Sequence, residues 1–233
     1  MSVSGRLFVV ATPIGNLEDI TFRAVRVLSE VEAVACEDTR RTLKLLNRYG
    51  VSKRLISYYQ PREGWRVPEI LAILKSGRDV ALVSDAGTPG ISDPGFPLIR
   101  RAIEEGIPVI PVPGPSAAVA ALSAAGLPTH RFLFLGFVPP KKAGLEKMLA
   151  AVASEPGTLV FYSPGRKIRE FLRAVNSVLG DRRVVIAREL TKVHEEFIRG
   201  GARELADRPE IARTKGEAAV LVEGLTRRKR TET

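Results

Sequence analysis

Short apolar runs separated by amphipathic stretches set the pattern of this chain. The runs are Leu7–Val10, Ala33–Cys36, Val80–Val83, 107–112, 132–135, 159–162, 184–187 and 218–222, each bounded by Gly, Pro, Asp or Ser. Unbroken apolar runs of four to six residues suit strands covered on both faces. Pro108 and Pro111 interrupt the fourth run, which predicts an edge or broken strand. Between the runs, apolar residues recur at helical spacing. Ala24, Val27, Leu28 and Val31 form one stripe, and Val67, Ile70, Leu71 and Leu74 a second. Leu145, Met148, Leu149 and Val152 form a third, and Ile168, Phe171, Leu172 and Val175 a fourth. Each stripe is wide enough to cover one face of a sheet. Gly50, Gly77, Gly106 and Gly180 stand just past helical stretches, where a left-handed residue closes a helix. The alternation predicts an α/β protein.

A boundary is expected at Pro111-Val-Pro-Gly-Pro-Ser116, where three prolines and a glycine in six residues exclude regular structure. The expected domains are residues 1–113, with a mostly parallel sheet, and residues 114–225. In the second domain, 184–189 and 196–199 follow one another without room for a helix, which predicts a mixed sheet. Residues 226–233 are expected to form a disordered basic tail.

Charge changes this picture more than overall composition does. The chain has 36 Lys and Arg against 26 Asp and Glu, a net charge of +10. Residues 1–113 carry 15 basic and 13 acidic side chains, and residues 114–233 carry 21 and 13. An excess of +8 in the second half points to a polyanionic partner such as RNA. A solvated, arginine-rich surface is the competing explanation. The apolar runs fall far short of the ~18–20 residues of a membrane span, and no signal peptide is visible. One cysteine, Cys36, cannot form an internal disulfide and reads as a small buried residue in a strand, in keeping with a reducing cytoplasm. With two histidines 64 residues apart, His130 and His194, no Cys/His metal cluster forms, and no metal site is expected.

Five segments follow strands or open helices in ways that suit chemistry. The most distinctive is Leu82-Val-Ser-Asp-Ala-Gly-Thr-Pro-Gly-Ile-Ser-Asp-Pro-Gly95, a Gly-, Pro- and Asp-rich loop after a strand. In open α/β sheets, ligands bind beyond the carboxyl ends of the strands. Its bland alternative is a strand-to-helix loop in which Ser92 or Asp93 caps the next helix. Ala11-Thr-Pro-Ile-Gly-Asn16 also follows a strand, but lacks both the dinucleotide and the phosphate-loop glycine patterns. Pro113-Gly-Pro-Ser-Ala117 opens an alanine-rich helix whose amides can donate to a ligand. Glu37-Asp-Thr-Arg-Arg41 and Ala187-Arg-Glu-Leu-Thr-Lys192 put carboxylates and cations at two more strand ends. For the former, the alternative is Asp38 or Thr39 as a helix cap.

Together these segments resemble the tetrapyrrole-methylase-like (class III) S-adenosylmethionine methyltransferases. The matching stretches are Ala11-Thr-Pro-Ile-Gly-Asn-Leu17, Cys36-Glu-Asp-Thr-Arg40, the 82–95 loop, Pro113-Gly-Pro-Ser116, Ala187-Arg-Glu-Leu-Thr-Lys192 and Lys215-Gly-Glu217. They run in the family's order over residues 7–224. Within that family the resemblance is to the bacterial enzymes that methylate the 2′-oxygen of a cytidine ribose in 16S ribosomal RNA. Members often read Glu-Ser-Pro-His-Arg where this chain has Tyr162-Ser-Pro-Gly-Arg166.

The resemblance implies two α/β domains with S-adenosyl-L-methionine in a cleft between them, usually in a homodimer. It implies that Pro13 lines the cleft and that Asp85, Ala86, Gly87 and Thr88 form the main donor loop. Ser116 and Ala117 would hold the donor from the second domain, with Tyr162, Arg188 and the strand from Glu217 closing over it. The expected partner is 16S ribosomal RNA or the small ribosomal subunit, with no membrane and no metal. Methyl transfer to a ribose oxygen is an in-line displacement needing alignment and loss of the hydroxyl proton. Asp38 is the candidate base, with Lys192 or Arg40 stabilising the oxyanion or a backbone phosphate. Tyr58, Tyr59 and Trp65 are candidates to stack a flipped cytidine, or to pack between helix and sheet. Two rivals are a tetrapyrrole methyltransferase of the same fold and a non-catalytic RNA-binding module.

Overall fold

The computed structural model describes residues 4–60, 63–214 and 216–225. The chain divides into two compact units, Met1–Ser116 and Ala117–Thr233. The expected basic tail, Lys215 of the last motif, and Pro61 and Arg62 lie outside the described residues.

In the first unit the elements alternate strictly. They are β1 (Leu7–Val10), α1 (Phe22–Glu30), β2 (Ala33–Cys36), α2 (Thr39–Arg48), β3 (Arg54–Ser57), α3 (Glu63–Lys75), β4 (Val80–Val83), α4 (Phe96–Glu104) and β5 (Val109–Val112). The five strands form one sheet in the order β3-β2-β4-β1-β5, every pairing parallel. The apolar runs lack a polar alternation because both faces are covered. Leu7, Ala33, Ala35, Val80 and Leu82 pack with α3 and α4. Their sequence neighbours Phe8, Val34, Cys36, Ala81 and Val83 pack with α1 and α2 on the other face. Cys36 is buried there as a free thiol. β5 lies at one edge, as its prolines require, and β3 lies at the other.

The second unit comprises α5 (Ala117–Ala125), β6 (Phe132–Phe137), α6 (Lys142–Ala151), β7 (Thr158–Pro164), α7 (Ile168–Leu179), β8 (Arg183–Arg188), β9 (Glu196–Gly201), α8 (Ala202–Asp207) and β10 (Glu217–Val222). Its sheet runs β6-β7-β10-β8-β9 and is mixed: β6 pairs with β7 in parallel, and the other three pairings are antiparallel. Leu159, Phe161, Val184, Ile186, Val220 and Val222 pack against α6, α7 and α8. The opposite face, with Val160, Val185, Ala187, Ala219 and Leu221, takes the small side chains of α5. The four helix-ending glycines all have left-handed φ, from 66° at Gly50 to 84° at Gly180. Among the described residues no helix is long and apolar enough to cross a membrane.

Candidate functional site

All five strands of the first sheet point the same way, so five loops leave one edge together. Helices following β1 and β2 cover one face, and helices following β3 and β4 cover the other. β4 therefore lies between two strands, β2 and β1, whose outgoing chains turn to the face opposite its own. Crevices at such reversals are where open α/β sheets take ligands. The 82–95 loop leaves from this strand.

Hydrogen bonds tie the loop to both neighbours. Toward β1, the Thr12 amide donates to the Gly87 carbonyl (2.9 Å) and the Gly87 amide donates back to Thr12 (3.0 Å). The buried Thr12 hydroxyl donates to the Ser84 carbonyl at 3.0 Å, and the Ser84 hydroxyl to Gly87 at 3.3 Å. Toward β2, the Asp38 amide donates to Asp85 Oδ1 at 2.9 Å. The Arg41 guanidinium stands 3.5 Å from Asp85 Oδ2. Beyond β5, the Thr88 hydroxyl approaches the Pro115 carbonyl at 3.5 Å. Thus Pro13, which is buried, Asp85, Ala86, Gly87 and Thr88 share one edge with Glu37, Asp38 and Arg40. Ser116 also belongs to this first unit rather than to the second, where the sequence boundary had put it.

The turn accepts little but glycine at two points. Gly87 has φ +82°, although a Cβ there would meet Ile14 and the Pro115 carbonyl only at 3.6 and 3.8 Å. Gly95 has φ +151°, and a Cβ would press to 3.1 Å from the Gly90 nitrogen and 3.2 Å from Leu82. Gly95 is the N-cap of α4 and, having no side chain, provides no side-chain cap. Ser92 itself has φ +63°, an uncommon conformation for a residue with a side chain.

The carboxylates differ in character. Asp38 caps α2 by accepting from the Arg40 amide (2.9 Å), and it also holds the Arg40 guanidinium at 3.1 and 2.8 Å. Those bonds to the charged form pull its pKa down to about 2. Glu37 behaves oppositely: burial, and then the neighbouring charge of Asp85, raise its pKa despite Arg41. Nothing in the residue pattern distinguishes these adjacent acids in this way.

In the second unit the candidates cluster at one sheet end. Tyr162 is cross-strand from Ala219, Arg188 from Ala218, and Glu217 from Pro164. The Ala118 amide, in the first turn of α5 beside Ala117, donates to the Tyr162 hydroxyl oxygen at 3.1 Å. Phe134 and Phe137 set the Tyr162 ring edge-on, with centroids 5.0 and 5.4 Å away. Arg188 pairs with Glu196 across β8 and β9. Lys192 lies in the connecting turn, 3.3 Å from the Glu189 carboxylate. That turn holds two side-chain-bearing residues at positive φ, Glu189 (50°) and Thr191 (65°). Conformations of this kind cost of order 1–3 kcal/mol each and persist where the surroundings impose them. Of the aromatic candidates, Tyr58 is buried in the core, and Trp65 is exposed on α3. Among the described residues no group of three or more His, Cys, Asp or Glu side chains is arranged to hold a metal.

Comparison with known proteins places this geometry. A family model for tetrapyrrole (corrin/porphyrin) methylases matches residues 6–206. The chain belongs to that family. Its methyl donor is S-adenosylmethionine. Among curated relatives, the protein named "Ribosomal RNA small subunit methyltransferase I" of Halalkalibacterium halodurans is 47% identical, covering 94% of this chain and 76% of its own length. The relative of the same name from Thermotoga maritima is 44% identical, over 94% of this chain and 99% of its own. Solved structures agree in fold. Diphthine synthase matches with a TM-score of 0.74 at 16% identity, covering 95% of this chain and 91% of its own. Uroporphyrin-III-C-methyltransferase from Thermus thermophilus matches at 0.66 and 23%, covering 94% of each chain.

The donor fits what the first unit presents. Its sulfonium and ammonium are cations and its ribose carries two hydroxyls, all suited to the carboxylates of Glu37 and Asp85. Ala86 is exposed and so open to a ligand, whereas Gly87 is buried with its amide and carbonyl both bonded to Thr12.

Proposed function

We propose that this chain methylates the 2′-oxygen of a cytidine ribose in 16S ribosomal RNA of the small ribosomal subunit, using S-adenosylmethionine. The observation that carries the proposal is the 43–49% identity to relatives named for ribosomal RNA small subunit methylation, over at least 87% of this chain. The tetrapyrrole alternative draws on the family's name and on porphyrin and cobalamin enzyme structures at 17–23% identity, and likeness at that level carries the fold alone.

In this proposal Pro13, Asp85, Ala86, Gly87, Thr88 and Ser116 hold the donor from the first unit, and Ala117, Tyr162, Arg188 and Glu217 hold it from the second. When bound, the donor supplies an activated methyl group on a positively charged sulfur. The protein's task is to aim the ribose oxygen and accept its proton. Asp38 enters as the group that orients Arg40 and caps α2, not as the base first expected: a carboxyl with a pKa of about 2 takes up protons poorly. Glu37, whose proton affinity is raised, is the better acceptor on this edge. Arg40 and Lys192 supply positive charge for an oxyanion or a backbone phosphate. A homodimer belongs to the same proposal and is checked by the mass in light scattering.

The deciding experiment incubates the protein with labelled S-adenosylmethionine and undermethylated small ribosomal subunits, then maps the modified nucleotide. Label on a cytidine ribose supports the proposal. Label on a base, or transfer to a porphyrin-like ring in place of RNA, refutes it.

A further inference from the structure

The surplus positive charge of the second unit is spread over several surfaces, and structure distinguishes spent cations from available ones. Arg182 donates to the carbonyls of Leu179, Glu223 and Ala153. Arg199 donates to those of Ala124, Ala125 and Phe197, and Arg169 to Arg208. Arg131 is paired with Glu155, Arg188 with Glu196 and Arg208 with Glu204. Lys141 and Arg166 are different: both are exposed, and neither has an ion pair or a side-chain hydrogen bond among the described residues.

Topology brings these two together. β6 and β7 run in parallel and end at the same level, with Phe137 opposite Tyr162 and the Val138 amide donating to the Tyr162 carbonyl (2.9 Å). β6 leads into Pro139-Pro140-Lys141, and β7 ends on Pro164 and leads into Gly165-Arg166. Lys167 reaches across to the Pro140 carbonyl at 3.4 Å, and the Gly165 amide donates to Gly216, before β10, at 2.7 Å. Three loops are thereby laced into one ledge beside Tyr162 and Glu217.

We infer that this ledge grips the RNA backbone, with Lys141 and Arg166 contacting the phosphates that flank the methylated ribose. The inference rests on the proposed RNA reaction and on Tyr162 and Glu217 facing the donor. A ribose that reacts at that end brings its own phosphates within reach of the ledge. Arg183 and Arg203 are equally exposed and unpaired, but they lie at the opposite end of the sheet. A six-residue strand separates the two ends by about 20 Å, too far to touch a phosphate adjoining the reacting nucleotide.

The test measures binding of unmethylated 16S RNA transcript from 50 to 200 mM salt, with donor affinity by calorimetry as a check on folding. For Lys141→Ala/Arg166→Ala the log–log salt slope is expected to fall in magnitude by about 1.4–1.8, two contacts at 0.7–0.9 each. Over that fourfold salt range, the loss of affinity shrinks by about 7- to 12-fold relative to wild type. Arg183→Ala/Arg203→Ala should keep the wild-type slope, as should the charge-retaining Lys141→Arg/Arg166→Lys. An unchanged slope in the ledge variant, or a fall in the opposite-end variant instead, overturns the inference while leaving the RNA reaction standing. Wild-type protein that binds donor but neither binds nor methylates this RNA overturns both.

Discussion

Replacing Thr12 with valine removes one hydroxyl and nearly preserves the side chain's shape. Thr12 is 2% exposed, and its hydroxyl donates to the Ser84 carbonyl at 3.0 Å, next to the paired amides that join Thr12 to Gly87. The variant leaves a buried carbonyl short of a donor, which costs about 1–3 kcal/mol. Because the lost bond fastens the donor loop to β1, the cost should appear as easier opening of that loop. The Gly87 amide is the reporter, since it donates to the Thr12 carbonyl. Its hydrogen-exchange protection should fall about 5- to 150-fold, the equivalent of that free energy. Amides of α7, in the other unit, should keep theirs. Thr12→Ser retains the hydroxyl and loses a methyl, so it should lower overall stability by about 1 kcal/mol while protecting Gly87 better than valine does. Equal protection of Gly87 in wild type and Thr12→Val would refute the claim that this hydroxyl fastens the loop.

Other expectations concern the same two sheet ends. Tyr162→Phe keeps the ring contacts but strips the acceptor from the buried Ala118 amide, so a stability loss of about 1–3 kcal/mol in urea titration is expected, together with weaker donor binding by calorimetry. Gly95→Ala forces a Cβ to 3.1 Å from backbone at φ +151° and should weaken donor binding more than Gly87→Ala, where contacts stay at 3.6 Å or beyond; the reverse order in calorimetry would contradict this. With saturating donor, Glu37→Gln should slow methylation more than Asp38→Asn, and an equal or opposite ranking of single-turnover rates removes Glu37 as proton acceptor. Asp38 has a folded pKa of about 2 against 3.8 unfolded, so its stabilising contribution is complete above 3.8 and is lost as pH falls through about 2. Asp38→Asn should therefore flatten that part of the acid denaturation curve.

Much of the architecture is legible in the sequence because burial on both faces leaves so strong a trace. Val80–Val83 reads as a central strand without any knowledge of its partners, and Phe171 and Leu172 announce the buried stripe of α7. β3 escaped notice for the converse reason. It is a short edge strand in which only Ile56 is buried, so Arg54 and Ser57 hide it. The strand-end location of the site follows from Gly, Pro and Asp after β4. The division of labour between Glu37 and Asp38 does not, because it depends on which carboxylate meets the helix amides and which meets Asp85 across two strands.

Net charge shows the same limit. A balance of +8 over residues 114–233 suggests an RNA-facing half, yet a guanidinium holding three carbonyls, as Arg182 does, is part of the scaffold. Burial lowers its pKa, as expected of a cation moved away from water. Such residues count fully in a sum over the sequence and contribute little to a phosphate contact. Among the second-unit cations whose side chains are described, only Lys141, Lys147, Arg166, Arg173, Arg183 and Arg203 lack an ion pair or side-chain hydrogen bond. They occupy three places: the ledge after β6 and β7, the outer faces of α6 and α7, and the far end of the sheet. These six unpaired cations, with Arg40 and Lys192 where they meet phosphate, set a smaller number of contacts than the full basic count. A wild-type slope well above about 7, eight contacts at the 0.9 upper value, would show that other paired arginines leave their internal partners for phosphate, that further cations of the first unit take part, or that charge outside the described residues joins in.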